Sequence, residues 1–232
     1  MANHPRYAIY YTAAPESALD RFGASLLGYD AYRGEDLPFP DGVTQTIADW
    51  RDLTQDPRKY GFHATLKAPI ALADNRTEAE LAAACGSFAE ETRPVPVIRP
   101  VVDSISGFIA VIPAEPLPEL ERLAADATKA FDAFRAPLTS EDRARRNPDK
   151  LTPRQRDYLD CWGYPYVFEE FRFHMTLTGR LAAEQREPVV AMLRERFAAT
   201  GIGPFAIDAI ALCRQDKPDS RFRVIGRWEL QG

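Results

Sequence analysis

Residues 60–69 read YGFHATLKAP and residues 170–179 read EFRFHMTLTG. Both carry His-x-Thr-Leu inside an apolar run. Side chains of an extended strand alternate between two faces. That period predicts His63, Thr65 and Lys67 on one face, with Phe62, Ala64 and Leu66 on the other. In the second stretch His174, Thr176 and Thr178 share a face, while Phe173, Met175 and Leu177 point into a core. The chain has only three histidines, and two of them sit in this motif. From its own threonine and leucine content each match has odds of ~1 in 200, so the pair is a signal of shared origin and shared use.

The likeness extends outward. Residues 7–15, YAIYYTAAP, resemble residues 108–116, FIAVIPAEP, and each leads into a helical pattern. An insert, a His-x-Thr-Leu strand, a helix, a proline and a hairpin follow in both halves. Pro94 lies 31 residues beyond His63, and Pro204 lies 30 beyond His174. This is duplication of a unit of about a hundred residues, not a short-period solenoid. It predicts a single duplicated α+β domain over 1–232, with one repeat at about 1–105 and the other at about 106–232. Antiparallel sheets flanked by helices then pack about a pseudo-twofold axis, which brings the two histidines together across a cleft.

Local signals give the order of elements. A strand at Arg6–Thr12 precedes a helix that Pro15-Glu16-Ser17 opens and Gly28 stops. Residues 29–60 read as irregular, with a short helix near 43–53. Pro69 ends the first motif strand, and Thr77 caps a helix to about Glu91. Strands follow at 95–103 and 107–113, then a helix at 116–134 and a locally basic insert at 135–169. The second motif strand covers about 170–178. A helix at 184–199 and strands at 205–213 and 221–230 complete the chain.

Composition is that of an ordinary globular chain: 45% hydrophobic and 27% charged residues in 232. A formal net charge of -5 speaks against sequence-independent nucleic-acid binding. Cys85, Cys161 and Cys213 are far apart and lack metal-ligand spacing, so they read as reduced thiols. The first seven residues contain no apolar core of a leader, and no segment is long enough to span a bilayer. The expectation is a cytoplasmic protein with no membrane association and no stable protein partner. His4 is incidental.

The paired motif has a chemistry. Near neutral pH a neutral imidazole can accept a proton from water or a sugar hydroxyl, and an imidazolium can donate one to a leaving oxygen. Two histidines in opposite states form the acid/base pair of an in-line displacement at phosphorus. Thr65 and Thr176 are placed to donate to non-bridging phosphoryl oxygens. No metal and no other cofactor is required. Zinc ligation is the weaker reading, because no Asp, Glu or Cys joins the histidines at ligand spacing.

These motifs, in the contexts YGFHATLKAP at 60–69 and WGYPYVFEEFRFHMTLTG at 162–179, resemble the two-histidine (2H) phosphoesterase superfamily. They look most like a bacterial branch often encoded beside phosphonate-utilisation genes. The superfamily's motif residues carry over as His63, Thr65, His174 and Thr176. The resemblance implies hydrolysis or transesterification of a cyclic phosphodiester without metal, by a fold of two lobes around a cleft. The phosphonate association points to a small phosphorylated ribose or similar metabolite as substrate. RNA ends with 2′,3′-cyclic or 2′,5′ linkages are a second substrate class, and a non-catalytic nucleotide or sugar-phosphate binding module is a third reading.

Further substrate contacts are expected from four residues. Lys67 shares the strand face of His63, and Arg135 opens the basic insert with a fork suited to a phosphate. Arg172 shares the face of His174. Tyr166 belongs with Trp162 and Tyr164 to an aromatic cluster that can cover the cleft or stack a base. The arginines between 143 and 156 read as a solvated helix face or as a lid over an anionic substrate.

Overall fold

The computed structural model describes residues 4–232. Strand β1 (Arg6–Tyr11) runs into helix α1 (Ala18–Leu27), whose first turn is closed by the Ser17 hydroxyl accepting from the Asp20 amide. Gly28 ends it at φ 70, a left-handed conformation that glycine adopts without a Cβ penalty. Strand β2 (Ala64–Ala71) carries the first motif. Helix α2 (Glu78–Glu90) begins with a reciprocal capping box between Thr77 and Glu80. Strands β3 (Pro100–Ile105) and β4 (Phe108–Pro113) form a hairpin, followed by helix α3 (Pro118–Asp132). The basic insert contains helix α4 (Pro153–Trp162), and the second motif contributes strand β5 (Met175–Thr176). Helix α5 (Ala183–Ala199) and strands β6 (Ala209–Gln215) and β7 (Arg223–Glu229) follow.

The architecture is α+β, with two antiparallel sheets flanked by helices. Their strand orders are β7-β6-β1-β2 and β3-β4-β5. The halves of the sequence interleave. Strands β6 and β7, from the second half, complete the sheet of β1 and β2, and β3, from the first half, completes the sheet of β4 and β5. A short pairing of Val97–Ile98 with Phe205–Ala206 ties the crossing segments together. One core fills the space between sheets and helices, with Ile9, Leu27, Leu66, Leu81, Phe131, Met175 and Leu193 all buried.

Both motif strands are sheet edges, and this corrects two expectations. Pro69 does not end its strand: β2 runs on to Ala71, because an edge strand tolerates a missing N–H on its open side. The second motif strand is far shorter than 170–178, since regular pairing covers only Met175 and Thr176. Its neighbours stay extended, and burial alternates from buried Phe171 to exposed Arg172 to buried Phe173.

The repeats align differently from their sequences. Tyr10 lies opposite Thr65, and Ala110 lies opposite Thr176. Matching residues 7–15 to 108–116 sets Tyr10 against Val111, one residue out, and a one-residue slip exchanges strand faces. The β1–β2 register also shifts between Tyr7 and Ile9 and again between Ile9 and Tyr10. Strict alternation is therefore interrupted on both sides of Lys67, which lies opposite Ile9.

The first insert is more ordered than its polar sequence implies. It holds helices at Val43–Thr46, Trp50–Leu53 and Gln55–Arg58, and the last two reach the end of α1. A helix leaves its last carbonyls without internal partners. Here the fully buried Trp50 donates Nε1–H to Leu26 O at 2.9 Å, and Arg58 donates Nε–H to Leu27 O at 2.6 Å. The arginine also places positive charge at the negative end of the helix dipole. Trp50→Phe removes the donor and leaves the Leu26 carbonyl buried without it. It should lower unfolding stability by about 2 kcal/mol, read as a shift in denaturation midpoint at constant m-value.

Candidate active site

Each histidine is held by its own backbone. His63 Nδ1 lies 2.9 Å from Gly61 O, and His174 Nδ1 lies 2.6 Å from Arg172 O. A carbonyl only accepts, so Nδ1 carries the proton in both rings and Nε2 is the nitrogen left to bind or release one. The partner is the residue two before the histidine in both halves. The turn at Gly61, left-handed at φ 75, brings that carbonyl to His63 Nδ1. The Thr65 hydroxyl, 3.3 Å from His63 Nε2, donates to it.

The rings sit on different supports. His63 stacks on Tyr10 of β1, with centroids 3.8 Å apart and planes at 29°. His174 meets Phe108 of β4 at 5.3 Å. Burial pushes the His63 imidazolium pKa down to about 4, the Gly61 carbonyl opposes that, and positive charge on His174 adds to the depression. His174 is also lowered by burial, against the pull of the Arg172 carbonyl. Both imidazoles favour the neutral form until an anion enters beside them.

A cavity of about 260 Å³ joins the two motifs. Thr65 and Leu66 of β2 form one wall, and Arg172 and His174 form another. Tyr166, in the loop after α4, and Arg180, beyond β5, also line it. A neighbouring cavity of about 280 Å³ lies between β2 and the basic insert. Among the described residues, no group of three or more His, Cys, Asp and Glu is placed to hold a metal ion.

The residues expected in the site fall into two groups. Thr65, Tyr166, Arg172 and His174 line the first cavity, and His63 stands behind Thr65, whose hydroxyl it meets. Thr176, half-buried on the same strand as Met175, lies two residues beyond His174. Tyr166 is 46% exposed and meets Tyr164 edge-on at 5.5 Å. Arg172 spends one guanidinium nitrogen on the carbonyls of Glu169 and Phe171. Lys67 and Arg135 instead face the second cavity and share one carboxylate.

Lys67 is only 3% exposed, so it is not a solvated strand end. Its ammonium donates to Asp132 Oδ1 at 2.6 Å and to Thr128 O at 3.3 Å. Burial lowers its pKa, and Asp132 works against that. Arg135 grips both oxygens of the same aspartate, at 2.9 and 3.2 Å, and reaches Cys161 O. Burial opposes charge on Asp132, but hydrogen bonds from Arg135 and Lys67 outweigh it and hold the carboxyl below its usual range. The arrangement locks β2, α3 and α4 together.

Sequence reasoning missed three residues. Tyr10 was legible only as a strand tyrosine with no assigned side, because its position under His63 depends on the β1–β2 register. Phe108 was taken as the start of a strand. Arg180 follows the second motif by one residue beyond Gly179, and the only signal for it was its charge.

The model of the family described as "Protein of unknown function (DUF1045)" matches residues 65–223. Among curated proteins, the chain is 34% identical over 227 residues to ribose 1,5-bisphosphate phosphokinase PhnN of Janthinobacterium sp. (strain Marseille). That alignment covers 94% of this chain and 49% of the relative. The protein of the same name from Laribacter hongkongensis (strain HLHK9) is 30% identical over 220 residues, covering 94% and 50%. The chain thus spans about half the length of the curated relatives it matches. Among solved structures it is similar to a phosphoesterase, at 13% identity and a TM-score of 0.43 over 99% of this chain and 100% of the other. It is also similar to E. coli LigT complexed with NADP+, at 15% identity and a TM-score of 0.43 over 100% of both chains. With 159 consecutive residues matched by its model, from Thr65 to Arg223, this chain belongs to the DUF1045 family of proteins of unknown function.

Proposed function

We propose that this chain is a metal-independent phosphoesterase that opens a cyclic phosphodiester of a small sugar phosphate by paired histidine acid/base catalysis. The observation that carries the reading is the repeated tethering of the imidazoles. Both Nδ1 atoms are tied to the carbonyl two residues back, and both Nε2 atoms are thereby left to handle protons. Structural histidines have no need for the same tautomer in two halves of a duplicated chain. As motif residues, His63, Thr65, His174 and Thr176 are those of the two-histidine phosphoesterases that the sequence resembles.

The step is an in-line displacement. Neutral His63 takes a proton from water, and the water oxygen bonds to phosphorus. The opposite P–O ester bond breaks, and protonated His174 gives its proton to the departing sugar oxygen. One water is consumed, the ring opens to a phosphomonoester, and solvent returns the two histidines to their starting states. A sugar hydroxyl in place of water gives transesterification by the same route. The deeper depression of His63 supports its assignment as the base, because it stays neutral when His174 is charged. The Thr65 and Thr176 hydroxyls orient the non-bridging oxygens.

The name of the longer curated relatives, ribose 1,5-bisphosphate phosphokinase, supports a ribose phosphate as the substrate class. If the 1-phosphate of that sugar is closed onto its neighbouring 2-hydroxyl, the product is a cyclic phosphodiester, and its opening by water regenerates a ribose bisphosphate. The first test is turnover in EDTA of ribose cyclic phosphates, 2′,3′-cyclic nucleotides and 2′,5′-linked dinucleotides. EDTA-resistant turnover of the first class is expected, and turnover only of the dinucleotides points to RNA ends instead.

Two further outcomes follow. His63→Ala and His174→Ala should each reduce kcat/KM by about 10²- to 10⁴-fold without loss of folded structure. An activated p-nitrophenyl phosphodiester, which needs no proton on its leaving group, should restore most of the rate to His174→Ala and little to His63→Ala. The reverse rescue pattern exchanges their roles, and full activity in both variants discards the mechanism.

The pH profile of kcat/KM reports the free enzyme. Deprotonation of His63 should raise the rate as pH climbs through about 4. Loss of the His174 proton should bring it down again below pH 6.5, the ordinary histidine value, because burial lowers that pKa. The expected curve is a bell on the acid side of 6.5, and a profile flat from pH 5 to 8 contradicts it.

A further inference from the structure

The cavity next to the histidine cleft is unusual in how its charges are held. Arg6, Lys67, Arg135, Arg145, Arg146 and Asp142 all line it. Lys67 and Arg135 share Asp132, and Arg145 pairs with Glu141 and Asp142. Arg6 and Arg146 have no carboxylate partner among the described residues. The Arg6 guanidinium is held by a neutral amide, Gln215 Oε1, which accepts from Nε at 2.9 Å, and it lies 5.6 Å from the Phe222 ring centroid. Arg146 sits over the ring of Tyr164 at 5.0 Å. An amide or an aromatic face orients a guanidinium without neutralising it. The five cationic groups lining the cavity thus meet three carboxylates, of which Asp142 alone lines it, and the two uncompensated ones are half-buried and fixed in direction.

The position of this cavity matters as much as its charge. It shares Ala68, Tyr164 and Val167 with the cleft of about 260 Å³. Thr65 lines the cleft and Lys67 lines the basic cavity, two residues apart on β2 and so roughly 7 Å along the strand. The two cavities are thus adjacent along one strand. A phosphomonoester carries close to two negative charges at neutral pH, which matches the surplus of two.

We propose that this cavity is a second subsite that binds a phosphomonoester of the same substrate, with Arg6 and Arg146 as its anchoring groups. The proposal rests on the reading of the histidine cleft as the place where a cyclic phosphodiester is opened. It defines the substrate as a sugar carrying two phosphorus groups, one cyclic and one terminal. Tyr164, shared by both cavities, forms the wall between them and holds Arg146 toward the second.

The test uses two substrates that differ in one group: ribose 1,2-cyclic phosphate and the same compound bearing a 5-phosphate. Wild-type protein should favour the 5-phosphorylated compound in kcat/KM by about 10- to 100-fold, the range for a charge-assisted contact. Arg146→Gln and Arg6→Gln should remove most of that preference, mainly through KM, and leave turnover of the compound lacking the 5-phosphate little changed. Calorimetric titration with ribose 5-phosphate, which has no cyclic ester, separates the two ideas. Binding that survives in His174→Ala and fails in Arg146→Gln supports the subsite even if no cyclic diester is turned over. Turnover that ignores the 5-phosphate and both arginines, in variants with an unchanged denaturation midpoint, overturns the subsite and leaves the histidine chemistry standing.

Discussion

A hydrogen bond from an imidazole Nδ1 to a backbone carbonyl two residues earlier sets the terms for the rest of this molecule. It costs no additional side chain, and it fixes ring orientation and tautomer together. It is reached by two backbone routes: a left-handed turn at Gly61 in one half, and the alternating run from Phe171 to Leu177 in the other. The sheets then hold the strand that follows each histidine at an edge. Tyr10 and Phe108 then decide how much water each ring keeps, and so how readily it charges.

The inserts do different work on the two sides. Residues 29–60 form a plug that satisfies the carbonyls at the end of α1 through Trp50 and Arg58, and this steadies the approach to Gly61 and His63. Residues 135–169 build the walls of both cavities. Helix α4 is tied back by the Arg143–Asp160 ion pair and by Arg135 on the Cys161 carbonyl. Exposed pairs of this kind contribute little to stability. Their effect is to set the direction of the chain that carries Tyr164, Tyr166 and Val167 across the mouth of the cleft.

Much of this was legible beforehand, and the failures have particular causes. Caps and stops announced α1 and α2, because Ser17, Gly28 and Thr77 act locally. The duplicated His-x-Thr-Leu singled out the two histidines, since period 2 holds over three or four residues. Lys67 departed from the period because register shifts interrupt β2, and a bulge is a property of two strands and not of one. Pro69 was misjudged because nothing local says that a strand will be an edge. Phe108 and Arg6 were invisible as site residues, and Tyr10 was ambiguous between core and cleft, for the same reason: their neighbours come from segments 50 or more residues away.

The interleaved sheets also constrain how the protein is made. The strand that seats His63 has its own sheet completed by residues 209–229, the last regular strands of the chain. A ribosome emitting this chain at its usual pace releases the first motif many seconds before the strands that finish its sheet. Until then β1 exposes an unpaired edge where β6 will sit, and the segment from 6 to 71 has no complete layer on which to settle. Contacts of such long sequence separation slow folding. The sheet around His63 is therefore complete only after residues 209–229 have emerged, and the nascent first half is the stage at which a chaperone has most to protect.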